Sequence, residues 1–389
     1  MTTAALNAGG ILPFTDEHQA LREMVADFTA KEIMPHARHW DDEELFPLEV
    51  YRKLGQLGVM GITVPQEYGG AGADYVSATL VLEELAYGDG GTALSYGAHA
   101  LLCVNNLYLN ANEEQRHKYL PKLCSGEHMG AICITEPGSG SDAVSMRTTA
   151  VRKGNEYILN GSKMFITNAT DADVLVVYAK TDPAAGSKGI SQFIVEKNFP
   201  GFSVSRKLEK MGMKSSATGE IVFEDCPVPA ANLMGKENEG AKAMMSHLDV
   251  ERVTLNGIPI GLARAALDRS VKYTQERKQF NQPLANFQMI QKFLAEARAD
   301  IEAMTLMTYN AAFKLDRKLR ATMEASTAKL FAARAATRIC MDAVQVHGGY
   351  GYMREYEVER MARDAKLMQI GAGTDEVQTM IIARQLLSK

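Results

Sequence analysis

A chain of 389 residues is too long for one small core and suits two or three domains. With 46% hydrophobic and 23% charged residues it has an ordinary globular make-up, and a net charge of −5 argues against a broad nucleic-acid-binding face. No apolar run approaches the ~18 residues of a membrane span, and Met1 to Gly10 lacks the basic and apolar blocks of a secretory leader. The cysteines (Cys103, Cys124, Cys133, Cys226 and Cys340) are scattered and form no CxxC pair, so neither a disulfide framework nor a metal site is expected. Buried thiols and a reducing, cytoplasm-like compartment are the natural reading.

From Thr15 to about Glu127 the pattern is helical, with Leu21, Val25, Phe28 and Ile33 at helix spacing and Thr15 placed as an N-cap. Val64 to Gly70 is dense in turn residues and reads as a loop. Between about Met129 and Gly235 short β-rich runs take over: Tyr157–Leu159, Met164–Thr167, Asp173–Tyr178, Gln192–Val195 and Glu220–Phe223. Lys153-Gly-Asn155 and Asn160-Gly161 read as hairpin turns between them. After Gly240 helical periods return, the first covering roughly Gly240 to Arg277 and others starting near Phe287, Leu319, Arg354 and Thr374. The expected class is α+β: an all-α domain over 1–128, a small antiparallel β-barrel or sandwich over 129–239, and a helical bundle over 240–389.

Glu251 is the most informative single residue. It falls on an apolar stripe of Leu248, Leu255, Ile258 and Leu262, where lost hydration raises a carboxyl pKa towards that of a general base. The competing reading is that it bends to solvent or pairs with a buried arginine. Ile134 to Asp142 is a Gly/Ser loop whose backbone N–H groups and hydroxyls suit a phosphate or flavin edge, though an ordinary turn has the same composition. It is neither a dinucleotide fingerprint nor a nucleophile elbow. Gln345 to Gly351 is a second glycine cluster, in which His347 reads more readily as a structural hydrogen-bonder than as a catalyst. Ile370 to Asp375 precedes the last helix with Thr374 as its N-cap, and Arg277 carries the planar fork that grips pyrophosphate.

Taken in order and register from about Phe14 to Leu387, these motifs resemble the acyl-CoA dehydrogenase family. The pieces are Ile134–Asp142, Arg277-Lys-Gln-Phe280 with Phe287-Gln288, and Gln345–Gly351 continuing to Arg363–Lys366. Leu94–His99, Lys118–Leu123, Leu248–Arg252 and Ile370–Thr374 look most like the isovaleryl-CoA branch. That branch carries the catalytic glutamate on the earlier helix, at Glu251, where most members place it at the position of Ala372.

The resemblance implies a homotetramer, a dimer of dimers, with a C-terminal four-helix bundle and FAD held between the middle and C-terminal domains. Ile132, Cys133, Ile134, Thr135, Ser139, Gly140, Ser141, Phe165, Ile166 and Thr167 would hold the flavin ring. Arg277, Phe280, Gln288, Gln345, Val346, His347, Gly348 and Gly349 would reach a neighbouring subunit's FAD, and Thr374, Asp375 and Glu376 would complete the site. Ser141, Leu94, Ser187, Lys188, Asp249, Val250, Arg252, Leu255, Gly371, Ala372 and Gly373 would contact the acyl-CoA. Two departures from the family pattern are Phe165, where relatives usually carry tryptophan, and the wording of the Cys133–Gly140 loop. The implied reaction is α,β-dehydrogenation, with Glu251 as the α-proton base, hydride passing to flavin N5, and electron-transferring flavoprotein as acceptor. Isovaleryl-CoA is the favoured substrate. Another short- or medium-chain acyl-CoA, or a non-catalytic acyl-CoA-binding role, is the alternative.

Overall fold

The computed structural model describes residues 12–388, so the expectation for Met1 to Gly10 lies outside it. Thr15 caps α1 (Asp16–Phe28): its hydroxyl accepts the His18 N–H at 3.2 Å, and its own N–H donates to His18 Nδ1 at 3.1 Å. Helices α2 (Ala37–Glu43), α3 (Leu48–Gln56), α4 (Tyr75–Gly88), α5 (Gly90–Gly97), α6 (Asn105–Asn110) and α7 (Glu113–Cys124) complete the first region. Helix α4 is buried on nearly every side from Val76 to Ala86, and its sequence is accordingly apolar apart from Ser77, Thr79, Glu83 and Glu84.

One mixed sheet follows, built from β1 (Gly130–Cys133), β2 (Thr149–Lys153), β3 (Glu156–Thr167), β4 (Val174–Lys180), β5 (Ile190–Glu196), β6 (Phe202–Lys207), β7 (Thr218–Pro229) and β8 (Leu233–Met234). Its order is β6-β7-β3-β2-β4-β5-β8, and β1 pairs with β4 in parallel. The hairpin at Gly154-Asn155 is present, with Lys153 facing Glu156. Asn160-Gly161 is not a turn: β3 runs straight through it with a shift in register. Gly161 holds φ +147°, and a Cβ there would lie 2.5 Å from Thr148 Oγ1, so this glycine serves a bulge and a close approach. Alternate residues of β4 serve two cores. Leu175 and Val177 join Tyr157, Leu159, Phe193 and Phe223 inside the curled sheet, while Val176 and Tyr178 meet Leu107, Leu120 and Met244 of the helices.

The remaining helices are α8 (Gly240–Thr254), α9 (Gly257–Glu276), α10 (Gln288–Asp316), α11 (Thr322–His347), α12 (Val358–Leu367) and α13 (Asp375–Leu387). The single helix expected over Gly240–Arg277 is two, broken at Leu255 and Asn256. Pro259 has no N–H for a continuous ladder and fits only the first turn of a new helix. Arg277 therefore ends α9, not the helix that carries Glu251. A core shared by both helical regions joins Val25, Leu82 and Leu85 to Ile260, Ile301, Ile339 and Met361. Glu83 and Glu84 of α4 meet Arg264 of α9 and Arg22 of α1 inside it, with Arg264 Nη1 2.7 Å from Glu84 Oε1. Among the described residues no helix is long and apolar enough to cross a membrane.

Candidate active site

Helix α8 presents Asp249, Val250, Glu251 and Arg252 on a single turn beside α11. Glu251 is partly buried, unlike Val250 and Arg252, which are buried fully. Burial pushes its carboxyl up to about 7, against the opposing charges of Arg252 and Lys329. The stripe that pointed to Glu251 spans the α8–α9 break, yet the packing around the carboxyl is the desolvating kind anticipated. Arg252 Nη1 lies 3.3 Å from Asp249 Oδ1, and Thr322 donates to Asp249 Oδ2 at 2.6 Å. Arg252 Nε is buried without a hydrogen-bond partner, leaving a donor to spare beside Glu251.

The loop after β1 is organised by a residue outside the predicted set. Glu136 accepts the Thr148 N–H at 3.0 Å, the Arg147 N–H at 2.6 Å and the ammonium of buried Lys163 at 2.8 Å. Lys163 also donates to Ile134 O at 3.1 Å, and Met164 N donates to Thr135 O at 2.9 Å, so the loop is fastened to β3. Ser139 is buried, its hydroxyl donating to Asp142 O, whereas Gly140 and Ser141 stand open. Cys133 is buried in the sheet core, Ile132 and Ile134 flank it, and burial pushes the Cys133 thiol up. All five cysteines are free and buried.

At the end of β3, Phe165 is 67% exposed and holds φ +60°, a conformation a bulky side chain rarely keeps without reason. Ile166 and Thr167 follow it, and Asn168 Nδ2 then donates to Ser95 O and Gly130 O, tying this strand end to α5 and β1. Leu94 of α5, Leu255 and Ala372 join one apolar cluster. Ser187 and Lys188 are exposed, in a turn packed against α8 and the Ala143–Ser145 turn.

The turn before α13 runs through Gly371, Ala372 and Gly373 to Thr374, whose hydroxyl caps the helix by accepting the Val377 N–H at 3.3 Å. A Cβ at Gly371 would meet only Leu367 O, at 3.7 Å, so there is room beside it. Asp375 is buried, accepting from Arg334 Nε at 2.9 Å, while Glu376 is exposed at the helix start.

A separate cleft of about 480 Å³ is lined by Tyr273, Arg277, Gln279, Leu284, Val346, His347, Gly348, Gly349, Tyr350 and Met353. His347 takes the structural role: it is buried, its Nδ1 is 2.8 Å from Ala343 O, and it stacks on Tyr273 at 4.2 Å. Gln345 and Gln288 are exposed and outside this lining. Phe280 forms the tip of a two-residue hairpin with Asn281, both at positive φ, and is 86% exposed.

These features suit a dinucleotide flavin. Gly348 and Gly349 have open space where a side chain would stand, next to the Arg277 guanidinium, so pyrophosphate can approach backbone and fork together. Phe165 offers an exposed aromatic face beside the loop, whose Thr135 carbonyl accepts the N–H of the neighbouring Met164.

Family models for the N-terminal, middle and C-terminal domains of acyl-CoA dehydrogenases match residues 15–127, 131–226 and 238–387. The chain belongs to the acyl-CoA dehydrogenase family, which comprises FAD-dependent oxidoreductases. A mitochondrial isovaleryl-CoA dehydrogenase from Pongo abelii is 47% identical over 374 residues, covering 95% of this chain and 88% of its own. Butyryl-CoA dehydrogenase from Megasphaera elsdenii superposes with TM-score 0.94 at 40% identity, covering 96% and 99%. A chain from work on the electron transferring flavoprotein of Acidaminococcus fermentans gives TM-score 0.95 at 42% identity, covering 97% and 99%.

Lys163, Glu136, Asn168 and Lys329 were not singled out from sequence. A signal existed for two of them. Lys163 occupies an inward position of the period-2 pattern set by Tyr157 and Leu159, and Lys329 lies on the apolar face of Ala325, Ala328 and Ala332.

Proposed function

We propose that this chain oxidises a short, branched acyl-CoA, with isovaleryl-CoA the leading candidate, to its trans-α,β-enoyl thioester. The observation that carries the reading is Glu251: a partly buried carboxyl held near pH 7, on the helix turn shared with Asp249 and Arg252. At that pKa the carboxylate is available near neutrality and basic enough to take a weakly acidic proton.

Glu251 accepts the α-proton at its carboxylate oxygen and becomes the neutral acid. The Ala372 N–H polarises the thioester carbonyl, which makes that α-proton more acidic. FAD, when bound, supplies the two-electron acceptor that takes the β-hydrogen as hydride. Ser141, Ser187, Lys188, Asp249, Val250 and Arg252 hold the CoA thioester, while Leu94, Leu255, Gly371 and Gly373 shape the acyl pocket. The space beside Gly371 supports a methyl branch.

Phe165, Ile166, Thr167 and the Ile132–Ser141 loop hold the flavin ring, with Thr374, Asp375 and Glu376 closing the site. Arg277, Phe280, Gln288 and Gln345 to Gly349 serve the FAD of a neighbouring subunit in a homotetramer. The exposed, strained Phe280 supports that role, since a hairpin tip of this kind gains by being covered. Electron-transferring flavoprotein is the acceptor we assign, and the free buried thiols suit a reducing, cytoplasmic setting.

The test is anaerobic mixing of purified, FAD-containing protein with a panel of acyl-CoAs. Faster bleaching of the flavin by isovaleryl-CoA than by butyryl- or octanoyl-CoA supports both reaction and substrate. Bleaching by a different thioester alone keeps the reaction and discards the substrate, and no bleaching by any discards the reaction.

A further inference from the structure

Lys329 is an unusual residue for its place. It sits on the small-residue face of α11, is 2% exposed, and has no carboxylate within ion-pair distance among the described residues. Burying an ammonium with no carboxylate in direct contact is costly, so it must be held by what it does contact. Its Nζ donates to Gly373 O at 2.6 Å. The same carbonyl accepts from Gln378 Nε2 at 3.0 Å, and that amide also reaches Ala372 O at 3.3 Å.

Ala372 and Gly373 are consecutive residues with positive φ, +55° and +85°. Alanine tolerates that region poorly, so the turn persists because its carbonyls are pinned inward by Lys329 and Gln378. Pinning these carbonyls holds Ala372 at its left-handed φ, and that torsion orients the preceding peptide unit, which carries the Ala372 N–H.

We infer that Lys329 is a positioning residue that joins the two halves of the reaction centre, anchoring the turn that presents the Ala372 N–H while its charge favours the ionised form of Glu251. This deepens the function proposed above and rests on it. Glu251 is faced by Arg252 from its own helix, by Lys329 from α11 and, more weakly, by Tyr178 from β4. Lys329 in turn is faced by Glu251 and Arg252 from α8 and by Asp375 and Glu376 from α13. Burial lowers the Lys329 ammonium to about 8, so it is largely charged where Glu251 titrates. Arg252 is the stronger cationic influence on Glu251 and shares its charge with Asp249, and Lys329 adds a second cation from the α11 side.

Two variants separate the anchoring from the charge. Lys329→Gln keeps a donor for Gly373 O without the charge, and Lys329→Met removes both. In Lys329→Gln the rising limb of flavin-reduction rate against pH moves up by about half to one pH unit, a loss of about 3- to 10-fold well below the midpoint. The rate recovers at high pH, and binding of a non-reducible thioester analogue is unchanged. Lys329→Met shows the same displacement together with weaker analogue binding. An infrared titration of the carboxyl band that vanishes in Glu251→Gln reports the same displacement without turnover. Unmoved infrared and rate midpoints in Lys329→Gln overturn the inference. Should Lys329→Met fail to fold, the Gln variant carries the test alone. Full activity in Glu251→Gln would instead defeat the proposed function itself, so the two failures are distinct.

Discussion

Lys163 Nζ and Glu136 Oε1 lie 2.8 Å apart with both side chains buried, closing the base of the loop that carries Thr135, Ser139 and Ser141. Burial opposes ionisation of Glu136, but Lys163 and the Thr148 and Arg147 N–H groups outweigh it and hold the carboxyl below its usual range. One carboxylate thereby joins the start of the loop to its return at Arg147 and Thr148.

Breaking that pair from one side strands a buried charge. Lys163→Met is expected to destabilise the fold by about 3–5 kcal/mol and to lower FAD retention, read by urea unfolding and by flavin content after gel filtration. Because the folded pKa of Glu136 is depressed, its contribution is present above the unfolded value near 4.5 and is lost as pH falls through the folded one. The wild type should therefore lose more stability than Lys163→Met between pH 5 and pH 3.

Glu251 has the opposite sign. Its folded pKa is raised from 4.5 to about 7, so any stability it lends is complete below 4.5 and is lost as pH rises through 7. Glu251→Gln escapes this loss and should gain about 1–3 kcal/mol on the wild type between pH 4.5 and pH 8, measured by thermal or urea melts at both. In the wild type, flavin-reduction rate should climb through a midpoint near 7.

Gly371 has no side chain and little around it. Adding bulk there with Gly371→Tyr is expected to cut isovaleryl-CoA turnover several-fold more than butyryl-CoA turnover. Equal losses on both substrates would detach this position from branch recognition.

Arg264 meets Glu83 and Glu84 deep between α4 and α9, where Arg22 is the other cation. Arg264→Met leaves two buried carboxylates facing one guanidinium and should cost about 3–5 kcal/mol, seen as a lowered urea midpoint. An unchanged midpoint would mean that the carboxylates take up protons at little cost.

Features set by neighbouring residues were legible before the structure. Thr15 and Thr374 cap the helices they were expected to cap, and Gly154-Asn155 makes its hairpin. Features set by distant partners were not. Lys163 finds Glu136 across 27 positions, Lys329 finds Gly373 across 44, and Asn168 finds Ser95 across 73. The single helix over Gly240–Arg277 and the turn at Asn160-Gly161 fail for different reasons: Pro259 is a helix-breaking signal present in the sequence, whereas the β3 bulge depends on a close approach to Thr148 that composition does not encode. Glu251 was legible because a carboxylate among apolar neighbours is conspicuous in sequence, and burial does raise it.

The role of Glu251 is tested by comparing wild type with Glu251→Gln in a single turnover with isovaleryl-CoA, with FAD content and analogue binding measured on both. With Glu251 as the base, the variant keeps equal FAD and near-equal analogue binding, and its flavin reduction is slower on the order of 10²–10⁴-fold. Flavin reduction at the wild-type rate would contradict it, and the α-proton would then have to leave to some group other than Glu251.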